Sequence, residues 1–446
     1  MEERMPMTTR RSFLAGTAVA AAALVLPKDK LFSFNFNRIA DSSSATLNIV
    51  LNAQPSGLKA AEGFLADFTK TSGIKLNLTA TNGGGSWVGF FQAISTKLAG
   101  GEAIDSAYIA TEGMLLFEER GVLDPLDSYI AGSKATIDAF YSDVDAHVLA
   151  DFRTLDALKG STYFIPIGYN VMSMWINVPL FKEFGVALPS PGWTWDDFMS
   201  AAAKIADAPN RYGFAINTPV PGPFTDVYPW VLTAGGEIMN ANQSKCVADN
   251  PAAIEAATFI RNLVAKKITN EPPGAYNQFA EMAGGKLAMY GAGIWPNLNL
   301  GIPQSEINKT FVIVPWPQLK AAGTPVGVGG FPMFKNSANK DALWEFIKWT
   351  TSEEFQSGPV VPFGGDTPMR KSVATSPSFL KQYPPGTEYF TEELSYSTMI
   401  VGVPNAGAVE NEISTTWAQI LTGATTPAAG MKTMQDTCNQ LMTQKV

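Results

Sequence analysis

Hydrophobic and polar positions between residues 46 and 110 alternate between two periods. Residues 46–51 alternate and are rich in β-branched side chains, which predicts a strand. Leu58, Ala61, Phe64, Leu65 and Phe68 then recur at helical spacing, and Gly73 ends that helix. Residues 74–79 return to the two-residue period. Residues 87–98 place Phe90, Phe91, Ile94 and Leu98 on one helical face, and 105–109 form a third short strand. The succession β-α-β-α-β predicts a parallel sheet covered by helices, an α/β fold. Such sheets hold ligands beyond the carboxyl ends of their strands, which selects segments 52–56, 82–87 and 110–112. The run Gly83, Gly84, Gly85 is not a phosphate loop, because no Gly-Lys-Ser/Thr ending follows. It lets a ligand approach the backbone, or simply turns the chain.

Further along, 163–168 and 171–176 are strands with only Tyr169 and Asn170 between them and no turn residues. Two strands joined in this way predict a chain passing from one domain into another. Residues 191–198 open a helix, with Thr194 as N-cap and Asp197 placed to bond back. Asn250 and Asn336 head later helical stretches. Leu343, Phe346, Ile347, Trp344 and Trp349 predict an amphipathic helix over 340–350. There is no internal repeat.

The amino terminus follows a different pattern. Arg10 and Arg11 precede Phe13 and Leu14, and an apolar run over 16–26 ends at Pro27 and Lys28. The run falls short of the roughly 20 residues a spanning helix needs. A basic region, a short apolar region and small residues make an export signal, and the Arg-Arg-x-Phe-Leu run resembles the twin-arginine type. Ala15 stands where lysine is common. Cleavage after 18–20 or 21–23 fits the small-x-small pattern. No cysteine lies near the run, so a lipoprotein anchor at this end is not expected. Residues 1–44 are therefore set apart as signal and leader, and the mature chain is expected in the periplasm or otherwise outside the cytoplasm.

Composition narrows the chemistry. The 446 residues are 46% hydrophobic and 16% charged, a globular balance, and the net charge of −8 argues against nucleic acid as partner. His147 is the only histidine, which excludes multi-histidine zinc sites, and its polar-apolar surroundings suit a surface helix. No cofactor or metal is implied. The two cysteines, Cys246 and Cys438, either form one disulfide or remain two thiols.

Five stretches, in order, resemble the sugar-binding extracellular solute-binding proteins of ABC importers, the group that includes maltose-binding protein. They are 121–127 (Gly-Val-Leu-Asp-Pro-Leu-Asp), 165–181 around Tyr169 and Asn170, 191–198, 284–295 from Gly284 to Trp295, and 336–349. Ile176 stands where that family usually has tyrosine. The resemblance covers 46–446. It implies a two-lobed periplasmic binding protein fold (type II), each lobe a mainly parallel sheet flanked by helices. The amino-terminal lobe is expected over 45–168 plus 316–366, and the second over 170–315 plus 367–446. Hinge crossings fall near Tyr169, Pro315 and Asp366. A carbohydrate would bind between the lobes and pass to membrane permease subunits, with no catalysis, and the protein is expected to be a monomer.

Sugars offer an apolar face to aromatic rings and hydroxyls to carboxylates and amides. The resemblance places Trp295 as a stacking ring, unless it fills the core, and Glu112 as a hydroxyl-binding carboxylate, unless it is a solvated loop acid. Asn170 stands where maltose-binding protein has a ligand glutamate. Trp87 either stacks at the rim or forms a hydrophobic staple. Asn52 and Gln54 suit hydroxyls. Asp226 and Tyr228 lie in the Pro-rich segment leading into a helix, and Trp230 either lines the ligand or sits in the core. Gly330 and Phe331 follow a strand and would press the ring on the ligand. Arg370 either reaches a hydroxyl or acid or stays on the surface. Alternatives are a polyol or glycerol phosphate ester binder, a secreted glycoside hydrolase using Glu112 and Asp226, and a protein-binding scaffold. The anionic ligand fits poorly, since Arg370 is the sole basic residue in these segments. The hydrolase lacks an eightfold β-α pattern, and the scaffold leaves the aromatics and amides unexplained.

Overall fold

The computed structural model describes residues 45–52, 55–81, 87–217, 222–272, 274, 276–358, 365–400 and 402–444. Its strands in chain order are β1 (Thr46–Leu51), β2 (Lys75–Ala80), β3 (Ser106–Ala107), β4 (Ile109–Ala110), β5 (Leu123–Asp124), β6 (Pro166–Val171) and β7 (Ser173–Asn177). They continue as β8 (Tyr212–Ala215), β9 (Leu287–Ala292), β10 (Phe311–Val314), β11 (Thr324–Gly330), β12 (Met333–Phe334), β13 (Thr367–Pro368) and β14 (Ser397–Met399).

The first strands form the expected parallel sheet, in the order β2-β1-β3. Helices Pro55–Ser72 and Trp87–Ala99 connect them, and Gly73 ends the first with φ +79°, a conformation that favours glycine. Phe90, Phe91, Ile94 and Phe117 fill the apolar core beside this sheet. The third strand departs from expectation. It splits at Tyr108 into β3, which pairs with β1, and β4, which pairs antiparallel with β11. The split lets the chain leave one sheet for the next, with the Tyr108 ring buried at the step.

The central sheet runs β13-β6-β11-β14, with β4 also on β11. The third sheet runs β10-β7-β9-β8 and covers a second, larger core that includes Trp193, Trp195, Phe198, Phe214, Trp230 and Trp316. A small pair, β12-β5, completes the set. The passage between strands at 163–176 is visible here. β6 belongs to the central sheet and β7 to the third, with Met172 alone between them. Met172 is fully buried, and its N–H donates to Thr324 Oγ1 at 2.8 Å while the same hydroxyl donates to its carbonyl at 3.0 Å.

Helix Trp195–Ile205 begins at the capping box expected from Thr194 and Asp197, and Asn250 caps helix Pro251–Ala265 by accepting from Ala253 N–H. The helix expected from Asn336 starts later, at Lys340, with Asn339 as N-cap. It has no solvent face over its last turns, because every residue from Ala342 to Thr350 is buried. Its two charged side chains there, Glu345 and Lys348, pair with each other at 2.7 Å. That pairing lets a charged face enter a core where either ion alone would be costly.

Candidate functional site

Helix Thr111–Glu119 starts where β4 ends, and Thr111 fixes that start. Its hydroxyl donates to Val328 O at 2.8 Å and accepts from Val328 N–H at 2.7 Å, locking the helix to β11. Glu112 therefore lies in the first helical turn, where an acid is favoured. It is half-buried as a residue, yet its Oε2 is buried and has no hydrogen-bond partner among the described residues. Burial pushes its carboxyl up to about 7; its own backbone bond acts against this, and Asp366 adds to it.

Asp366 precedes β13 and is buried. Its carboxylate accepts from the Tyr108 hydroxyl and, at 2.5 Å, from Asn170 Nδ2. Burial raises it to about 6. Asn170, on β6, accepts at its other end from Ile294 N–H at 3.2 Å, so one amide ties the central sheet to the segment that follows β9. Glu410, in helix Ala406–Leu421, is raised to about 8, by burial first and then by Glu112. Three carboxylates from remote parts of the chain thus bear on one region.

Trp295 is half-buried beside them. Gly293 makes room for it: a Cβ there would lie 2.3 Å from Asn170 Oδ1 and 2.5 Å from the Trp295 ring. Gly365 has φ +73°, and a Cβ on it would lie 2.7 Å from that of Trp295. The Trp295 indole nitrogen interacts with the Tyr290 hydroxyl, which donates to Asn217 Oδ1 at 2.7 Å. Asn217 Nδ2 in turn donates to Asp226 at 2.9 Å.

Asp226 also accepts from Asn217 N–H, Gly222 N–H and the Thr225 hydroxyl. Its carboxylate is thereby committed to holding its own loop, and burial raises its pKa against those bonds. Tyr228 is buried, and burial pushes its hydroxyl up, with Cys246 and then Glu410 adding to the effect.

The structure brings Glu112, Asn170, Asp366 and Trp295 together, and Asp226 joins through Asn217 and Tyr290. Asn52 is half-buried at the end of β1, and Trp87 is half-buried with its ring stacked on Phe91 at 5.7 Å. Gln54 lies outside the described residues. Three candidates are engaged elsewhere. Trp230, 1% exposed, sits edge-on to Trp316 at 4.9 Å within the core. Phe331 is equally buried, between Tyr108 and Phe346. Arg370 donates to Thr351 O at 2.7 Å and to Asp143 at 3.1 Å. Gly330 lies in β11, where a Cβ would approach Ile165 O to 2.3 Å, so its place is set by close strand packing. Of the hinge positions, Tyr169 is buried in β6 with its hydroxyl bonded to Thr391 at 2.8 Å, and Pro315 is buried just after β10.

The reading from sequence missed Tyr108 and Glu410. Tyr108 sits inside a strand pattern that marks it as core, and Glu410 sits in a helix whose acids give no local sign of Glu112. It also missed Phe224, whose ring lies 3.3 Å from where a Cβ on Gly327 of β11 would stand. His147 bonds Ser397 O at 2.8 Å from helix Ala146–Lys159. Among the described residues no cluster of His, Cys, Asp and Glu is arranged to hold a metal ion, and no helix is long and apolar enough to cross a membrane.

A family model described as bacterial extracellular solute-binding protein matches residues 52–357. A maltotriose-binding protein of Pyrococcus abyssi is 22% identical over 324 residues, covering 71% of this chain and 65% of the relative. Among solved structures, an ABC substrate-binding protein of Listeria monocytogenes in complex with cycloalternan superposes with TM-score 0.74 at 22% identity, covering 90% of this chain and 99% of that one. Maltose-bound MalE3 of T. maritima gives 0.75 at 18% identity, covering 89% and 100%. These likenesses show the fold, the two-lobed α/β architecture of periplasmic solute-binding proteins.

Proposed function

We propose that this chain, which belongs to the bacterial extracellular solute-binding protein family, captures a sugar or oligosaccharide between its two lobes and delivers it to the permease of an ABC importer. The observation that carries this reading is the convergence of Glu112, Asn170 and Asp366 beside the half-buried Trp295. Hydrogen-bonding groups beside an aromatic face match the two faces of a sugar. The relatives named for maltotriose, maltose and cycloalternan support the same ligand class.

The lobes would be 45–168 with 316–366, and 170–315 with 367–446, with the chain crossing near Tyr169, Pro315 and Asp366. The β6-Met172-β7 passage supports the first crossing. β14, within the second range, pairs with β11 of the central sheet, so that sheet would lie at the junction. Ligand would favour a closed state by binding it better than the open one. The molecule would act as a monomer outside the cytoplasm, exported by its Arg10-Arg11 signal, and would not cleave what it binds.

The test is calorimetry against a panel of maltose, maltotriose and longer or cyclic glucans. Trp295→Ala should weaken binding of the matched sugar roughly ten- to a hundredfold, the equivalent of about 1–3 kcal/mol for a lost apolar contact. Glu112→Ala should weaken it comparably. No binding across the panel by a folded wild-type protein would sink the sugar reading. Normal binding by a Trp295→Ala protein that melts far lower would move that ring into the core.

A further inference from the structure

The only two cysteines of the chain meet in the core of its second half. Cys246 lies in a short antiparallel bridge with Met239, and Cys438 lies in helix Pro427–Met442. Both residues are fully buried. Asn439, 193 residues further on than Cys246, grips the backbone of that residue from both sides. Its Oδ1 accepts from Cys246 N–H at 2.9 Å and its Nδ2 donates to Cys246 O at 2.9 Å. One turn earlier on the same helix, Gln435 accepts from Asp249 N–H at 3.1 Å. The helix is thus riveted along the segment that carries Cys246, and Cys438, next to Asn439 on that helix, lies close enough for each thiol to act on the other's titration, both standing as free thiols in this structure. The remaining contact of Cys438 Sγ is a long one, 3.9 Å to Val409 O.

We propose that Cys246 and Cys438 are the two halves of a disulfide that closes after export and fastens the carboxyl-terminal helix to the second core. The proposal rests on the extracytoplasmic location given above, since such bonds persist in oxidising compartments. The oxidant is a disulfide of the thiol-oxidoreductase class. One cysteine, deprotonated, attacks a sulfur of that disulfide, breaking its S–S bond, forming a mixed disulfide and expelling one oxidant thiolate. The second cysteine, deprotonated, then attacks the sulfur of the first, expelling the other oxidant thiolate. The two protons given up by the cysteines end on the expelled thiolates. Two electrons pass to the oxidant, which leaves as a dithiol. Burial of both sulfurs sets the condition for the exchange: it takes place while helix Pro427–Met442 is undocked.

The experiment counts thiols. Full-length chain is recovered from the periplasm of a bacterial host, quenched in acid, unfolded and treated with a maleimide. Neither cysteine should label, both should label after reduction, and reduction should lower the melting temperature of the wild type but not of Cys246→Ser. The same chain made in the cytoplasm should label at both, and should lose both when unfolded and refolded with oxidised glutathione, its mass falling by two hydrogens. Two labelled thiols in the exported protein, or stable glutathione adducts in place of closure, would overturn the proposal. Sugar titration of the same oxidised sample is read separately, so failure to bind counts against the functional reading and leaves the thiol count standing.

Discussion

Replacing Thr324 by valine removes one hydroxyl from the point where the chain passes between its two main sheets. Thr324 is fully buried at the start of β11. Its Oγ1 accepts from Met172 N–H at 2.8 Å and donates to Met172 O at 3.0 Å. Valine keeps the shape and the strand preference, so packing hardly changes. What changes is that a buried amide and a buried carbonyl lose this partner. Each such loss costs about 1–3 kcal/mol, so the pair should cost roughly 2–6 kcal/mol. The assay is denaturant unfolding followed by tryptophan fluorescence, with Thr324→Ser as control. Serine keeps the hydroxyl and should recover most of the loss. A valine variant within about 0.5 kcal/mol of wild type, the range of an ordinary surface substitution, would refute this role for the hydroxyl.

Two further outcomes follow from single groups. Glu393 is buried, accepts from the Ser173 hydroxyl, and is pushed by burial from 4.5 up to about 8. A raised carboxyl means the folded state holds the proton more tightly, so this contribution to stability is full below about 4.5 and drains away as pH rises towards 8. Melting temperature against pH should fall less steeply for Glu393→Gln than for wild type, and identical slopes would remove Glu393 from the account. Gly386 has φ +91°, and a Cβ there would stand 1.9 Å from Ile313 O, so Gly386→Ala should lose more than about 2 kcal/mol in denaturant unfolding. Wild-type stability would show that the turn adapts.

The fold was legible in the sequence where local signals carry it. Period-two runs gave β1 and β2, Gly73 gave a helix end, and Thr194 with Asp197 gave a capping box, because each depends on neighbours within a few residues. The direct strand-to-strand passage at 163–176 was legible for the same reason, although the residue between the two strands is Met172, with Tyr169 and Asn170 inside β6. Burial was less legible. Trp230, Phe331 and Trp295 are all aromatics near glycine or proline, and only the packing of distant elements leaves the third half-exposed. Arg370 reads as a free cation until Asp143 arrives from another part of the chain. Glu410 and Glu112 influence one another across almost three hundred positions, a relation no local pattern encodes.

The make-up of the central sheet has a consequence for timing. The sheet β2-β1-β3 draws on residues 46–107 alone and can assemble while later chain is still emerging. The sheet β13-β6-β11-β14 cannot. β6 is made early, but its partners begin at Thr324 and Thr367, and β14 ends at Met399. From its completion at Val171 until the chain reaches Thr324, β6 therefore has two open edges and nothing to pair with, and closing such distant contacts is slow. The sheet to which the other two are tied, through β4 and through Met172, is the last to become solid.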